Sequence, residues 1–96
     1  MNPPVLEKHY LLFYKAVDNY VERRKPYRAD HIDLITAYHK AGDFVMGGAY
    51  DSPADGAALI FKSEASARAF AEKDPYVKNG LVTEWFIREW NVVKLD

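Results

Sequence analysis

The stretch Tyr10-Leu11-Leu12-Phe13-Tyr14-Lys15-Ala16 reads as a β-strand with no polar side. Aromatic and aliphatic residues favour extended backbone, and successive side chains of a strand point to opposite faces. Tyr10, Leu12, Tyr14 and Ala16 therefore share one face, and Leu11 and Phe13 the other. A strand that is apolar on both faces must be covered on both. The last strand, Leu81–Val93, repeats the pattern: Trp85 and Ile87 lie on one face, Phe86, Trp90 and Val92 on the other. The sheet built from these strands carries two apolar surfaces.

Working inward, Asp18–Arg24 is a charged connector with room for one helical turn capped by Asp18, and Glu22, Arg23, Arg24 and Lys25 read as solvated surface. Pro26 disfavours helical backbone at Lys25 and itself suits the first turn of a helix. Tyr27, His31, Leu34, Ile35, Tyr38 and Ala41 then recur at helical spacing, and Gly42 marks the helix end. Phe44–Ala49 is the second strand; its Gly47-Gly48 pair points to a bulge or a close backbone approach. Asp51-Ser52-Pro53-Ala54-Asp55-Gly56 is turn chemistry, and Ala57–Lys62 completes a hairpin. Ser63 caps a second helix with Glu64 in its first turn. Ala67, Phe70 and Ala71 form its buried stripe, which one more step extends to Asp74 before Pro75 interrupts. A short turn over Tyr76–Asn79 leads to Gly80 and the last strand.

The order strand, helix, strand, strand, helix, strand predicts an α+β fold of the ferredoxin-like split βαβ kind (βαββαβ), with a four-stranded antiparallel sheet and both helices on one face. Residues 1–96 make one domain, with 1–8 as an N-terminal extension. The helices leave one apolar sheet face bare. A second copy packed sheet to sheet would cover it, so a homodimer through the sheet face is expected.

Composition narrows the function classes. With 49% hydrophobic and 15% aromatic residues the chain is too apolar for disorder. A net charge of −1, with Lys and Arg scattered, gives no basic stripe for nucleic acid. The absence of cysteine excludes disulfides, thiolate nucleophiles and cysteine-based zinc sites, and fits a reducing, cytoplasmic setting. No apolar run approaches the roughly 20 residues that span a membrane, and Met1–Lys8 lacks the pattern of a signal peptide. His9, His31 and His39 show no zinc spacing; Gly47-Gly48 is not a phosphate loop; no serine sits in a nucleophile elbow. No metal and no cofactor are expected.

The topology itself gathers polar residues. Alternating strand and helix directions bring the start of the first helix, the end of the second, and the hairpin turn to one edge of the sheet. His31 lies at the first of these, Asp74 at the second, Asp51 and Asp55 at the third. His31 and Asp74 both fall on inward stripes, and a carboxylate beside a half-buried imidazole fixes its tautomer, which makes a general acid/base pair. Structural readings stand beside the functional ones. His31 is equally a packed core ring, Asp74-Pro75 a helix end, and Asp51 and Asp55 turn formers. His9, ahead of the first strand, reads as exposed, and His39 suits the dipole at its helix C-terminus.

These residues resemble the YCII-related (YciI-like) family of small dimeric α+β-barrel proteins. The likeness runs from about Tyr10 to Val93. It is carried by Arg28-x-x-His31 opening the first helix, Gly48 before an Asp-containing turn, Lys73-Asp74-Pro75-Tyr76-Val77 followed by Gly80 and Leu81, and the closing Trp90-Asn91-Val92-Val93. Where relatives often carry Gly-Pro, this chain has Gly48-Ala49. The resemblance implies a His31–Asp74 dyad acting in cofactor-free acid/base chemistry of the lyase, dehydrochlorinase or hydrolase kind on a small molecule. Arg28, Gly48, Asp51 and Tyr76 are the expected substrate-binding residues. The alternative is a non-catalytic dimeric module that binds a small molecule or a protein.

Overall fold

A computed structural model describes residues 5–95. The elements follow in the order β1 (Val5–Ala16), α1 (Tyr20–Arg23), a 3-10 turn (Lys25–Tyr27), α2 (Arg28–Lys40), β2 (Phe44–Ala49), β3 (Gly56–Phe61), α3 (Glu64–Lys73), α4 (Pro75–Lys78) and β4 (Val82–Lys94). The four strands form one antiparallel sheet in the order β2-β3-β1-β4. This is the expected ferredoxin-like α+β arrangement.

One face of the sheet meets the helices. Leu12, Tyr14, Ala57, Leu59 and Phe61 from the strands pack there against Ala67, Phe70 and Ala71 of α3. Ser63 caps α3 as expected, its hydroxyl accepting from the Ser66 N–H at 3.1 Å. Gly42 ends the α2 region at φ +83°, where a side chain would be strained. The opposite face carries Phe13 paired with Phe86, their rings stacked at 5.0 Å, and Leu11 paired with Ile60, itself paired with Met46. Met46, Phe86 and Trp90 on this face are exposed.

Several local expectations are corrected. β1 begins at Val5, so residues 5–8 of the expected extension belong to the strand, held by pairing with the long β4. Beyond Tyr10 and Glu89 these two strands pair only with each other and project as a two-stranded arm. His9, expected to be exposed, therefore lies mid-strand opposite Trp90 and is buried. Asp18 does not cap α1; Asn19 occupies that position in left-handed backbone and makes no capping bond. Lys25 is not extended: Arg24 keeps helical dihedrals and Pro26 sits in the first positions of the 3-10 turn, where its missing N–H costs nothing. The chain thus stays wound from Tyr20 into α2, and Arg24 and Arg28 are carried onto one side.

Candidate active site

Asp74 is the centre of the site. Its backbone N–H closes α3 by donating to the Phe70 carbonyl at 2.9 Å. Its side chain opens α4, Oδ1 accepting from the Tyr76 N–H at 3.0 Å, with Pro75 at the first helical position. The carboxylate has no exposure at all. Two further donors reach it: the Tyr14 hydroxyl bonds Oδ2 at 2.8 Å, and His31 Nδ1 bonds Oδ1 at 2.8 Å. A buried charge is tolerable only when its oxygens are hydrogen-bonded, and β1, α2 and α4 each supply one donor.

This arrangement sets the chemistry of His31. With Nδ1–H donating to Asp74, Nε2 is left with a lone pair in the neutral ring, and it makes no hydrogen bond within the described residues. The ring is about nine-tenths buried, lies flat on Tyr76 at 3.9 Å and meets the edge of Phe70 at 6.2 Å. Packing and hydrogen bonding together fix its orientation.

His31 borders a cavity of about 240 Å³ between α2 and the sheet. Tyr20, Arg24, Arg28 and Tyr76 line one side, and Ile32 and Ile35 of α2 another. The floor is Gly47, Gly48, Ala49 and Ala57 with Leu59. Small floor residues are what leave the space open. A side chain at Gly47 would be tight, because its Cβ would sit 3.0 Å from the Leu59 Cα and 3.1 Å from the Ala58 oxygen and β3 would have to give way by a few tenths of an ångström.

Of the residues singled out from sequence, His31 and Asp74 are joined, and Arg28 and Tyr76 line the cavity. Gly48 contributes backbone only; a Cβ on it would meet nothing within 4 Å. Asp51 is not part of the lining and is exposed. The Tyr50 N–H bonds the Gly56 carbonyl at 2.9 Å, which closes the hairpin and leaves Asp51 and Asp55 in a loop beyond the sheet. Tyr14, read as a strand residue, and Arg24, read as solvated surface, belong to the site, as does Tyr20, which was not singled out from the sequence. Among the described residues no cluster of His, Asp or Glu could hold a metal ion. No helix among them is long and apolar enough to cross a membrane.

Burial pushes the hydroxyls of Tyr14, Tyr20 and Tyr76 up from the usual phenol range, and for Tyr14 the neighbouring Asp74 charge pushes the same way. A group that holds its proton more tightly when folded contributes stability that is complete below its unfolded value and lost above it. Resistance to urea is therefore expected to fall as pH rises beyond about 10. Tyr14→Phe should flatten that fall; an equally steep decline in the variant would remove Tyr14 as its source.

The fold and the site define a small α+β protein with a buried aspartate–histidine pair at the edge of a ligand-sized cavity. A family profile for the YCII-related domain matches residues 9–91, and the chain belongs to that family. No curated protein matches it in sequence. Among solved structures it is similar to 5-chloro-2-hydroxyhydroquinone dehydrochlorinase (TftG) from Burkholderia phenoliruptrix AC1100, in complex with 2,5-dihydroxybenzoquinone. The TM-score is 0.69 at 22% identity, over 85% of this chain and 92% of that one. At that identity the likeness establishes the common fold.

Proposed function

We propose that this protein is a cofactor-free enzyme that moves protons on a small molecule, with His31 as general base and acid and Asp74 as its positioning partner. The observation that carries the reading is the 2.8 Å bond from His31 Nδ1 to a fully buried carboxylate, which leaves Nε2 for the substrate. Nε2 takes a proton from the substrate, and the imidazolium formed lies against the Asp74 charge. In an elimination the electron pair that the proton leaves behind forms the new double bond while the leaving group departs with the pair of its own bond to carbon, so the substrate loses HX and no electron carrier is required. The structural likeness to a dehydrochlorinase favours this class. Arg28, Gly48 and Tyr76 would contact the substrate. The cavity beside His31 favours an enzyme over a purely structural module, in which the ring would be closed off by packing. A cysteine-free chain fits a reducing, cytoplasmic setting.

The test is a thermal-shift screen of small phenols, quinones and carbonyl compounds, since a ligand of the folded state raises its melting temperature. Chloride release from 5-chloro-2-hydroxyhydroquinone is the first turnover assay. If no compound turns over while several bind, the binding-module alternative replaces this reading.

The working unit of this reading is a homodimer. Leu11, Phe13, Met46, Ile60, Phe86 and Trp90 lie on the sheet face that no helix covers. A two-stranded arm is marginal in water by itself, and a second copy would cover both. Sedimentation at micromolar concentration is expected to give twice the 11.0 kDa chain mass; a single-chain mass would refute the dimer.

A further inference from the structure

The arginine side of the cavity is electrostatically unfinished. Arg24 and Arg28 both line it, and neither takes part in an ion pair among the described residues, where Arg68, Lys8 and Lys25 each have an acidic partner. No Asp or Glu lines the cavity. Two like charges sharing a confined space repel each other. Tyr76, stacked on His31 at 3.9 Å, lines the same cavity, and its hydroxyl is buried and makes no hydrogen bond, although buried hydroxyls are nearly always partnered. The guanidinium groups oppose the upward push of burial on that hydroxyl. The Tyr20 and Tyr76 rings meet edge to face at 5.8 Å and give the pocket flat apolar walls. Arg24 lies over the Tyr20 ring at 5.1 Å, an arrangement that fixes its guanidinium without neutralising it.

We infer that Arg24, Arg28 and the Tyr76 hydroxyl form an oxyanion site, and that the ligand is a small planar organic anion whose carboxylate or phenolate oxygens dock there while its other end reaches His31. Planar guanidinium groups match such oxygens with paired, charge-assisted hydrogen bonds. The hydroxyl donates a further bond and so gains the partner it lacks. The inference rests on the reading above only in taking this cavity as the ligand site; it does not depend on turnover.

The experiment is a titration with benzoate and with benzamide, matched in shape and different in charge, followed by NMR. Benzoate is expected to bind at least about tenfold more tightly, the equivalent of one charge-assisted hydrogen bond. Arg24→Gln and Arg28→Gln should each remove that preference, and Tyr76→Phe should weaken benzoate while keeping the ring stacked on His31. Arg28 is exposed and Arg24 half-buried, so these variants fold. Equal binding of the two probes, or none of either, would overturn the inference, as would full benzoate affinity in the double arginine variant. His31→Asn separates the two claims. If it loses turnover while the probes do not discriminate, the acid/base reading stands alone. If it keeps turnover while benzoate is preferred, the oxyanion site stands alone.

Discussion

On the proposed acid/base reading, His31→Asn is expected to leave the protein folded and to remove turnover. The asparagine amide nitrogen occupies nearly the place of Nδ1 and can still donate to Asp74, but nothing replaces Nε2. The expected loss in turnover is about 10²–10⁴-fold, the usual worth of one general acid or base, with a melting temperature close to that of the wild type. His31→Leu is the companion variant. Replacing a buried polar ring by an apolar side chain ordinarily favours the folded state. Here the ring is one of three donors to a carboxylate with no access to water, so leucine is expected to lower the melting temperature as well as abolish turnover. A wild-type rate in His31→Asn would show that the imidazole is there to hold Asp74 and not to act on substrate.

Asp74→Ala is expected to be the most destabilising single change at the site. It strips the partner from the Tyr14 hydroxyl, the His31 Nδ1–H and the Tyr76 N–H together, and all three lie in the interior. Leaving a buried donor without its acceptor costs roughly 1–3 kcal/mol, and three such losses in a domain of this size lower the melting temperature on the order of 10 °C or more. Asp74→Asn should be far milder. Its carbonyl can accept from His31 and Tyr76, and its amide can donate to the Tyr14 oxygen. It lacks only the negative charge that stabilises the imidazolium, so folding survives and turnover falls. Calorimetric melting of the two variants checks the first claim, and a fully active Asp74→Asn would contradict the second.

The fold was readable because it is written in side-chain alternation. Phe13 against Tyr14 and Trp85 against Phe86 announce a sheet with two apolar faces, and the registers agree. Strand directions put His31 and Asp74 at one edge of the sheet, since these fix which element ends share an edge; their inward stripes and the family resemblance are what marked them out from Asp51 and Asp55 as a pair. What could not be read needed register or winding. Tyr14 looked like any core tyrosine of a strand; only the pairing of β1 with both neighbours sets its hydroxyl beneath Asp74. Arg24 reads as solvated in the sequence because it sits in a run of charged residues, Glu22 to Lys25. The 3-10 turn keeps the backbone wound, and the four-residue spacing of Arg24 and Arg28 then works as it does in a helix. Asp51 shares the correct edge of the sheet but belongs to an exposed loop beyond the hairpin closure and does not line the cavity.

Asp74 ends one helix, begins the next and orients the histidine, and these duties divide the site between inheritance and change. A descendant that removed this carboxyl group would lose architecture and the orientation of His31 at once, so on the proposed reading the acid/base part is tied to the fold. Arg24 and Arg28 belong to no part of the packed core. On the proposed reading, new substrate preferences can arise there by single substitutions, with the same histidine and aspartate serving each of them.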